Sequence, residues 1–502
     1  TAYTILSSSD GIKEIIMKNI FSALVIAFVL ALQVGAADLP DIGLGSINAS
    51  DISEILPARD AAIAPAPAVS TSKARPKEWT VIFYSTTKDQ LRLALMWQLL
   101  EMKKIGSTSK VNVVLQAAMP VKGLDGKIST PTVRIALGAA GSVDKLDKVI
   151  VAMFKSGTID ESTLAPFAAD IIKWTNNTDT GNWRNVAEFT RWAKENYPAK
   201  RYAFVIYGHG NGIFDEKKIN KGTLTDTDTG NYVTLPEMRL LMAVTGKVDI
   251  FVMTSCVMQM AEVAWQIKDY TDVVVGSSEL MSAIGYDLSG MLSTLNANPG
   301  IRSEQLGAKL ADGYIDRVKA LKIPGGHASV LLTSRLPGLV EKLNAWVDAE
   351  MVLKDKASIG AASKEVARFD IFGITMATSA ALARAFSISG DLYDFVSLMT
   401  AGAPQDTPEQ KLAAQKGREL MDFISKELVY RYSYTGVSNT GFDYGRAHGV
   451  SIHIPPIRLL GASLADFEKN LETLYWDLPF AKETKWGGFL SWIYGREVVK
   501  RR

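Results

Sequence analysis

Five short runs of this sequence are apolar almost throughout: WTVIFY at 79–84, VNVVL at 111–115, YAFVIY at 202–207, VDIFVM at 248–253 and VVVG at 273–276. A strand open to water on one face alternates apolar and polar residues. A run with no such alternation reads as a strand covered on both faces. Between the runs lie stretches with helical spacing, at 91–105, 185–197 and 258–267; in the second, Val186, Phe189, Trp192 and Ala193 share one side. Apolar strands alternating with helices predict an α/β fold around a mostly parallel sheet. After about residue 336 the pattern turns helix-rich, at 339–351, 380–386, 392–399 and 410–430. A last strand candidate, 449–454, is stopped by Pro455-Pro456, and no internal repeat is present.

The chain has 502 residues, 47% hydrophobic and 22% charged, enough to bury one large core or two smaller ones. Its 55 basic and 53 acidic residues nearly cancel, to a formal +2. A nucleic-acid binder would carry a clustered basic surplus, so that class is disfavoured. Cys256 is the only cysteine, which excludes an internal disulfide.

Residues 17–36 begin with Met17 and Lys18, continue through the apolar run 20–32 and end in small residues. That is the pattern of a secretory signal peptide, too short to span a bilayer as a stable helix. Export from a bacterial cell, to the periplasm or beyond, is the expectation, with no membrane insertion after signal removal. Residues 1–16 have no place in this scheme. Codons for Lys13-Glu14 can read as a bacterial ribosome-binding site, so this segment is expected to be translated upstream sequence. Residues 37–77 are rich in Ala, Pro and Ser and read as a linker or pro-segment. A catalytic domain is expected over 78–335 and a helix-rich C-terminal region of the same unit over 336–502.

Two segments carry candidate chemistry. Tyr207-Gly208-His209-Gly210-Asn211-Gly212 follows the strand at 202–207. Sites in parallel sheets form at the carboxyl ends of strands, and glycines let backbone approach a ligand closely. No Gly-Lys-Ser/Thr or G-x-G-x-x-G register accompanies them, which disfavours a phosphate loop. Thr254-Ser255-Cys256-Val257-Met258 follows the strand at 248–253. A helix expected to start at Met258 would favour the Cys256 thiolate through its N-terminal field. A base and the only thiol, each just past an apolar strand, meet the requirement for a nucleophile and its proton acceptor.

The order of these motifs resembles the clostripain-like cysteine peptidases, of the caspase, gingipain and legumain clan. Members usually show H-G-x-G after one strand and D-x-C-L-M-x-x-x-E-x-A-x-E-L after the next. His209, Gly210, Gly212, Cys256, Met258, Glu262 and Ala264 match those patterns. Ser277-Ser278-Glu279, GYDLSG at 285–290, Asp391-Leu392-Tyr393-Asp394 and GVSIHIPP at 449–456 extend the resemblance from about Trp79 to near the C-terminus. The resemblance implies a caspase-like three-layer α/β/α core and a monomeric cysteine endopeptidase acting on peptides or proteins. It further implies a His209/Cys256 dyad, a thioester intermediate, and an oxyanion hole from the N–H groups of Gly210 and Cys256. Family members are often activated by a cut between the His and the Cys; Lys217, Lys218 and Lys221 make that interval a candidate activation loop.

One departure bears on substrate. The family commonly has Asp two residues before the nucleophile, where it helps bind a basic side chain; here Thr254 stands there. A hydroxyl cannot replace a carboxylate facing Arg or Lys, so Glu279 and Asp287 are the candidates to supply the charge. No cofactor is required by this reading. Calcium remains a candidate, because Asp226, Asp228 and Glu237 have the outer spacing of a calcium loop. The glycine is misplaced for it, and a turn at 228–230 followed by a capping box, Thr234 to Glu237, is the simpler reading. His327, His448 and His453 show no metal spacing, and His453 reads as a packed or surface residue. The competing class is a non-catalytic exported binding protein on a peptidase-like scaffold. Thr254 favours it; the pairing of His209 with the only thiol opposes it.

Overall fold

The computed structural model describes residues 75–176, 178–215, 222–323, 325–369, 387–436, 442–455 and 475–494. The expected signal peptide at 17–36, residues 1–16, nearly all of the expected linker at 37–77 and the helix expected at 380–386 lie outside the described residues.

The described residues form a nine-stranded sheet. Its strands are β1 (Lys77–Ser85), β2 (Val111–Ala118), β3 (Thr132–Ala136), β4 (Ile171–Thr175), β5 (Ala199–Tyr207), β6 (Val248–Thr254), β7 (Thr271–Gly276), β8 (His327–Leu332) and β9 (Val429–Tyr434). Their order is β9-β8-β7-β6-β5-β1-β2-β3-β4. The five middle strands, β7-β6-β5-β1-β2, are parallel. Two antiparallel strands flank them at each edge.

Alternate side chains of each middle strand enter opposite cores, as the strand period of two demands. Ile82, Tyr84, Phe204, Ile206, Phe251 and Met253 join one core with helices Trp183–Asn196 (α2), Leu235–Thr245 (α3), Ala261–Ile267 (α4) and Leu336–Leu353 (α7). Val81, Phe83, Ala203, Val205, Ile250 and Val252 join the other with Arg92–Ile105 (α1), Leu288–Ala297 (α5) and Ser303–Ala320 (α6). This is the three-layer α/β/α arrangement expected. The runs read as apolar on both faces are buried on both faces.

Residue 335 does not divide the structure. β9, from the C-terminal region, pairs with β8, and α7 packs in the same core as β5. The helix expected over 410–430 ends at Phe423 and passes through a wider turn, Ile424–Leu428, into β9. The sequence VYRYSY is β-branched and aromatic, and pairing with β8 prevails over the helical period that precedes it. β3 and β4 escaped the pattern because Arg134 and Lys173 interrupt their apolar residues.

Candidate active site

Tyr207, the last residue of β5, is paired with Ser85 of β1 on one side and Thr254 of β6 on the other. His209 and Cys256 each stand two residues beyond that row, and Asp89 stands four beyond it. Three neighbouring parallel strands therefore deliver an acid, an imidazole and a thiol to one end of the sheet. It is also the place where the chain, having run from β1 out to β2, returns to the other side of β1, the usual position of a site in an open α/β sheet.

His209 Nε2 lies 2.5 Å from Asp89 Oδ2. Asp89 was not singled out by the sequence, since a lone acid in the loop after β1 has no motif around it. Its other oxygen accepts the N–H of Leu91 at 3.0 Å. Burial pushes the Asp89 carboxyl up, but the hydrogen bond and charge of His209 outweigh it and hold it below the ordinary value. A carboxylate there fixes Nε2 as the protonated nitrogen and leaves Nδ1 to accept a proton. The neighbouring Lys88 anchors the loop, with its buried ammonium 2.9 Å from Asp226 and 3.2 Å from Asp228. The loop after His209 is tied back to it by Leu224 N–H on the His209 carbonyl at 3.0 Å.

Cys256 sits in a tight turn rather than at a helix start. α4 begins at Ala261 with Met260 as its N-cap, so the helix expected from Met258 is shorter. A helix field fades within its first turn, and Cys256 lies outside it. The donor to the sulfur is instead the Met281 N–H, 3.2 Å from Sγ. The segment after β7 runs beside the turn, with Val257 N–H on the Glu279 carbonyl at 3.2 Å and Gln259 N–H on that of Ser277 at 3.0 Å. Val257 has φ of +59°, a left-handed conformation unusual for a β-branched residue. Its complete burial and these bonds hold it there.

The histidine and cysteine loops touch. A Cβ at Gly210 would lie 2.6 Å from the Cys256 carbonyl oxygen and 2.7 Å from Ser255 Cβ, so only glycine fits. Gly212, at φ +59°, would press a Cβ to 2.7 Å from Met260 Sδ. His209 and Cys256 are both partly exposed, so a substrate can reach them.

The three substrate-binding candidates fare differently. Thr254 is buried beneath Gly285, and its hydroxyl finds no partner among the described residues. Glu279 is fully buried, and its carboxylate accepts the Tyr444 hydroxyl and, at 2.8 Å, the Leu280 N–H. Asp287 is the N-cap of α5, bonded to Gly290 N–H at 2.9 Å and Ser289 Oγ at 2.8 Å. Lys217, Lys218 and Lys221 lie outside the described residues.

Asp226, Asp228 and Glu237 do not fit a calcium ion. The Lys88 ammonium occupies the space between the two aspartates, and Glu237 completes the capping box with Thr234. Among the described residues no group of three His, Cys, Asp or Glu could hold a metal. Glu262, matched above to the family pattern, is buried and ties α4 to the C-terminal region through His453 N–H at 2.9 Å and Tyr475 Oη at 3.2 Å. His327 and His453 are both buried, and burial lowers each to about 3.

A model of the clostripain family matches residues 137–492. The chain belongs to the clostripain family. It is a cysteine-type endopeptidase, and its substrates are peptides or proteins. The match begins directly after β3, so it takes in His209 and Cys256 but not Asp89. Two solved structures share the fold. An inactive zymogen C11 protease from Parabacteroides distasonis is 15% identical with a TM-score of 0.54, over 82% of this chain and 99% of that one. A secreted C11 cysteine protease from Bacteroides thetaiotaomicron, iotapain, is 15% identical with a TM-score of 0.50, over 76% of this chain and 94% of that one. No curated protein matches the chain. Among the described residues no helix is long and apolar enough to cross a membrane.

Proposed function

We propose that this clostripain-family chain is an exported, monomeric bacterial endopeptidase in which Cys256 is the nucleophile, His209 its base and Asp89 the residue that orients His209. The observation that carries this reading is the Asp89–His209 hydrogen bond of 2.5 Å at the strand ends that also carry the only cysteine.

His209 Nδ1 takes the thiol proton, and Asp89 stabilises the imidazolium that forms. The thiolate attacks the peptide carbonyl carbon, making a C–S bond and pushing the carbonyl electrons onto oxygen. The N–H groups of Gly210 and Cys256 are the proposed donors to that oxyanion; among the described residues Gly210 N–H has no other acceptor. The oxyanion collapses, the C–N bond breaks, and the amine leaves with the proton from His209. Water then attacks the thioester with His209 again as base, and Cys256 departs as the thiol. No step calls for a metal.

Export rests on the signal-peptide pattern at 17–36. Activation is proposed to follow a cut in the interval holding Lys217, Lys218 and Lys221. The described residues on either side of it are anchored: the Asp215 carboxylate accepts Leu235 N–H at 3.0 Å, and Leu224 N–H donates to the His209 carbonyl at 3.0 Å.

The test is cleavage of a fluorogenic peptide library by the mature protein, before and after limited trypsin treatment, against the Cys256→Ala variant. Cleavage by the wild type alone supports the reading. Equal cleavage by both, or by neither after trypsin, overturns it.

A further inference from the structure

The loop at 281–286 lies against both Cys256 and the residue two positions before it. Met281 N–H donates to Cys256 Sγ at 3.2 Å. Four residues on, a Cβ at Gly285 would fall 2.5 Å from Thr254 Cγ2, so Gly285 rests on the threonine methyl. A substrate whose carbonyl reaches the Cys256 sulfur must pass its adjoining side chain along this loop.

The charge around the loop can be read residue by residue. Gln98 donates its amide to the carbonyls of Ile284 and Tyr286, and Tyr207 Oη donates to that of Ala283 at 2.5 Å. Tyr314 Oη accepts Ser282 N–H at 3.0 Å, and Arg317 donates to Tyr286 O at 3.1 Å. The groups bonded to the loop are thus three neutral side chains and one cation. The nearby carboxylates already have partners: Glu279 with Tyr444 and Leu280, Asp287 with its helix, Asp89 with His209. Four hydroxyls of this loop and of the residues before Cys256 have none among the described residues: Thr254 Oγ1, Ser255 Oγ, Ser282 Oγ and Tyr286 Oη; the first and third belong to the residue beneath Gly285 and to the loop residue after Met281. Buried hydroxyls normally find a hydrogen-bond partner.

Resting on the peptidase reading above, we infer that the residue preferred on the acyl side of the cleaved bond (P1) is uncharged and hydrogen-bonding, an amide or hydroxyl side chain, and not Arg or Lys. An amide or hydroxyl can satisfy Thr254 and Ser282. An ammonium or guanidinium would lose its water and meet Arg317, the cation that Asp287 already faces, while Glu279 is buried against Tyr444. An aliphatic side chain would leave both hydroxyls orphaned.

The test uses the mature protein, trypsin-treated where activity requires it, with a set of peptidyl acyloxymethyl ketones that differ only at P1: Asn, Gln, Thr, Leu, Lys and Arg. Labelling of Cys256 is followed by mass spectrometry, with iodoacetamide as a probe of the thiol alone. The Asn, Gln or Thr probe should label at least about tenfold faster than the Lys and Arg probes. Thr254→Asp should move the preference towards Lys and Arg. Thr254→Val, which keeps the shape of the side chain, should narrow the gap between polar and Leu probes. Fastest labelling by Lys, Arg or Leu, or an unchanged ranking in Thr254→Val, overturns this inference while leaving the peptidase reading intact. Reaction with iodoacetamide but with no peptidyl probe overturns both.

Discussion

Asp89 and His209, 120 residues apart in the chain, meet through one hydrogen bond of 2.5 Å at the ends of adjacent parallel strands. The acid lies outside the span matched to the family, yet it settles which imidazole nitrogen carries the proton. Replacing it by Asn lets an amide sit against Nε2 without stabilising the imidazolium. We expect kcat/KM to fall by about 10²-fold. The pH profile of Cys256 alkylation should also move to higher pH, because the thiolate–imidazolium pair is weakened. An unshifted profile would make Asp89 merely structural. The stability it confers has a defined sign. Its folded pKa lies below the ordinary carboxyl value of 3.8, so the contribution is complete above about pH 4 and is lost as pH falls through the lowered value.

Tyr444, in the C-terminal region, donates its hydroxyl to Glu279, whose backbone carbonyl holds the Val257 N–H beside the nucleophile. Tyr444→Phe takes a donor from a buried carboxylate. The cost should be about 1–3 kcal/mol in urea unfolding, with slower iodoacetamide labelling of Cys256 at fixed pH. Wild-type values in both measurements would show that the C-terminal region does not support the nucleophile.

Burial raises Glu262 to about 7, its bonds to His453 and Tyr475 only partly offsetting the shift. Between about pH 4.5 and 7 the folded protein keeps a proton that the unfolded chain has released. Stability therefore declines as pH rises through that window, by about 3 kcal/mol for this group. Glu262→Gln should flatten the decline, read from urea midpoints across pH 4.5–8. Asp391, also buried and raised to about 7, contributes with the same sign, so some slope should survive. A slope unchanged in Glu262→Gln would contradict the assignment.

Lys88 neutralises the buried Asp226 and holds the loop that carries Asp89. Lys88→Met strands that carboxylate, and we expect a loss of about 3–5 kcal/mol together with lower activity. Because an ammonium fills the place a cation would take, EGTA should leave the melting temperature and the activity of the wild type unchanged. A calcium-dependent rise in melting temperature would show that Lys88 yields the site.

The middle strands were legible in the sequence because burial on both faces removes alternation, a purely local signature. His209 and Cys256 were legible because each follows such a strand, and because glycines and a lone thiol stand out from their neighbours. The edge strands were not. The first two residues of β9, Val429 and Tyr430, continue the helical period read before it, and only its partner β8 makes it a strand. Met281 was invisible for a related reason: a backbone N–H has no sequence signature.

The sequence by itself determined the layer type, the two chemical groups and the Thr254 departure, since these depend on residue identity and local period. The tertiary structure decided which acid serves His209, what donates to the Cys256 sulfur, and that Glu279 and Asp287 already have partners. Those outcomes depend on strand order and loop closure. A pairing across 120 residues is fixed by how the sheet assembles and not by any spacing along the chain.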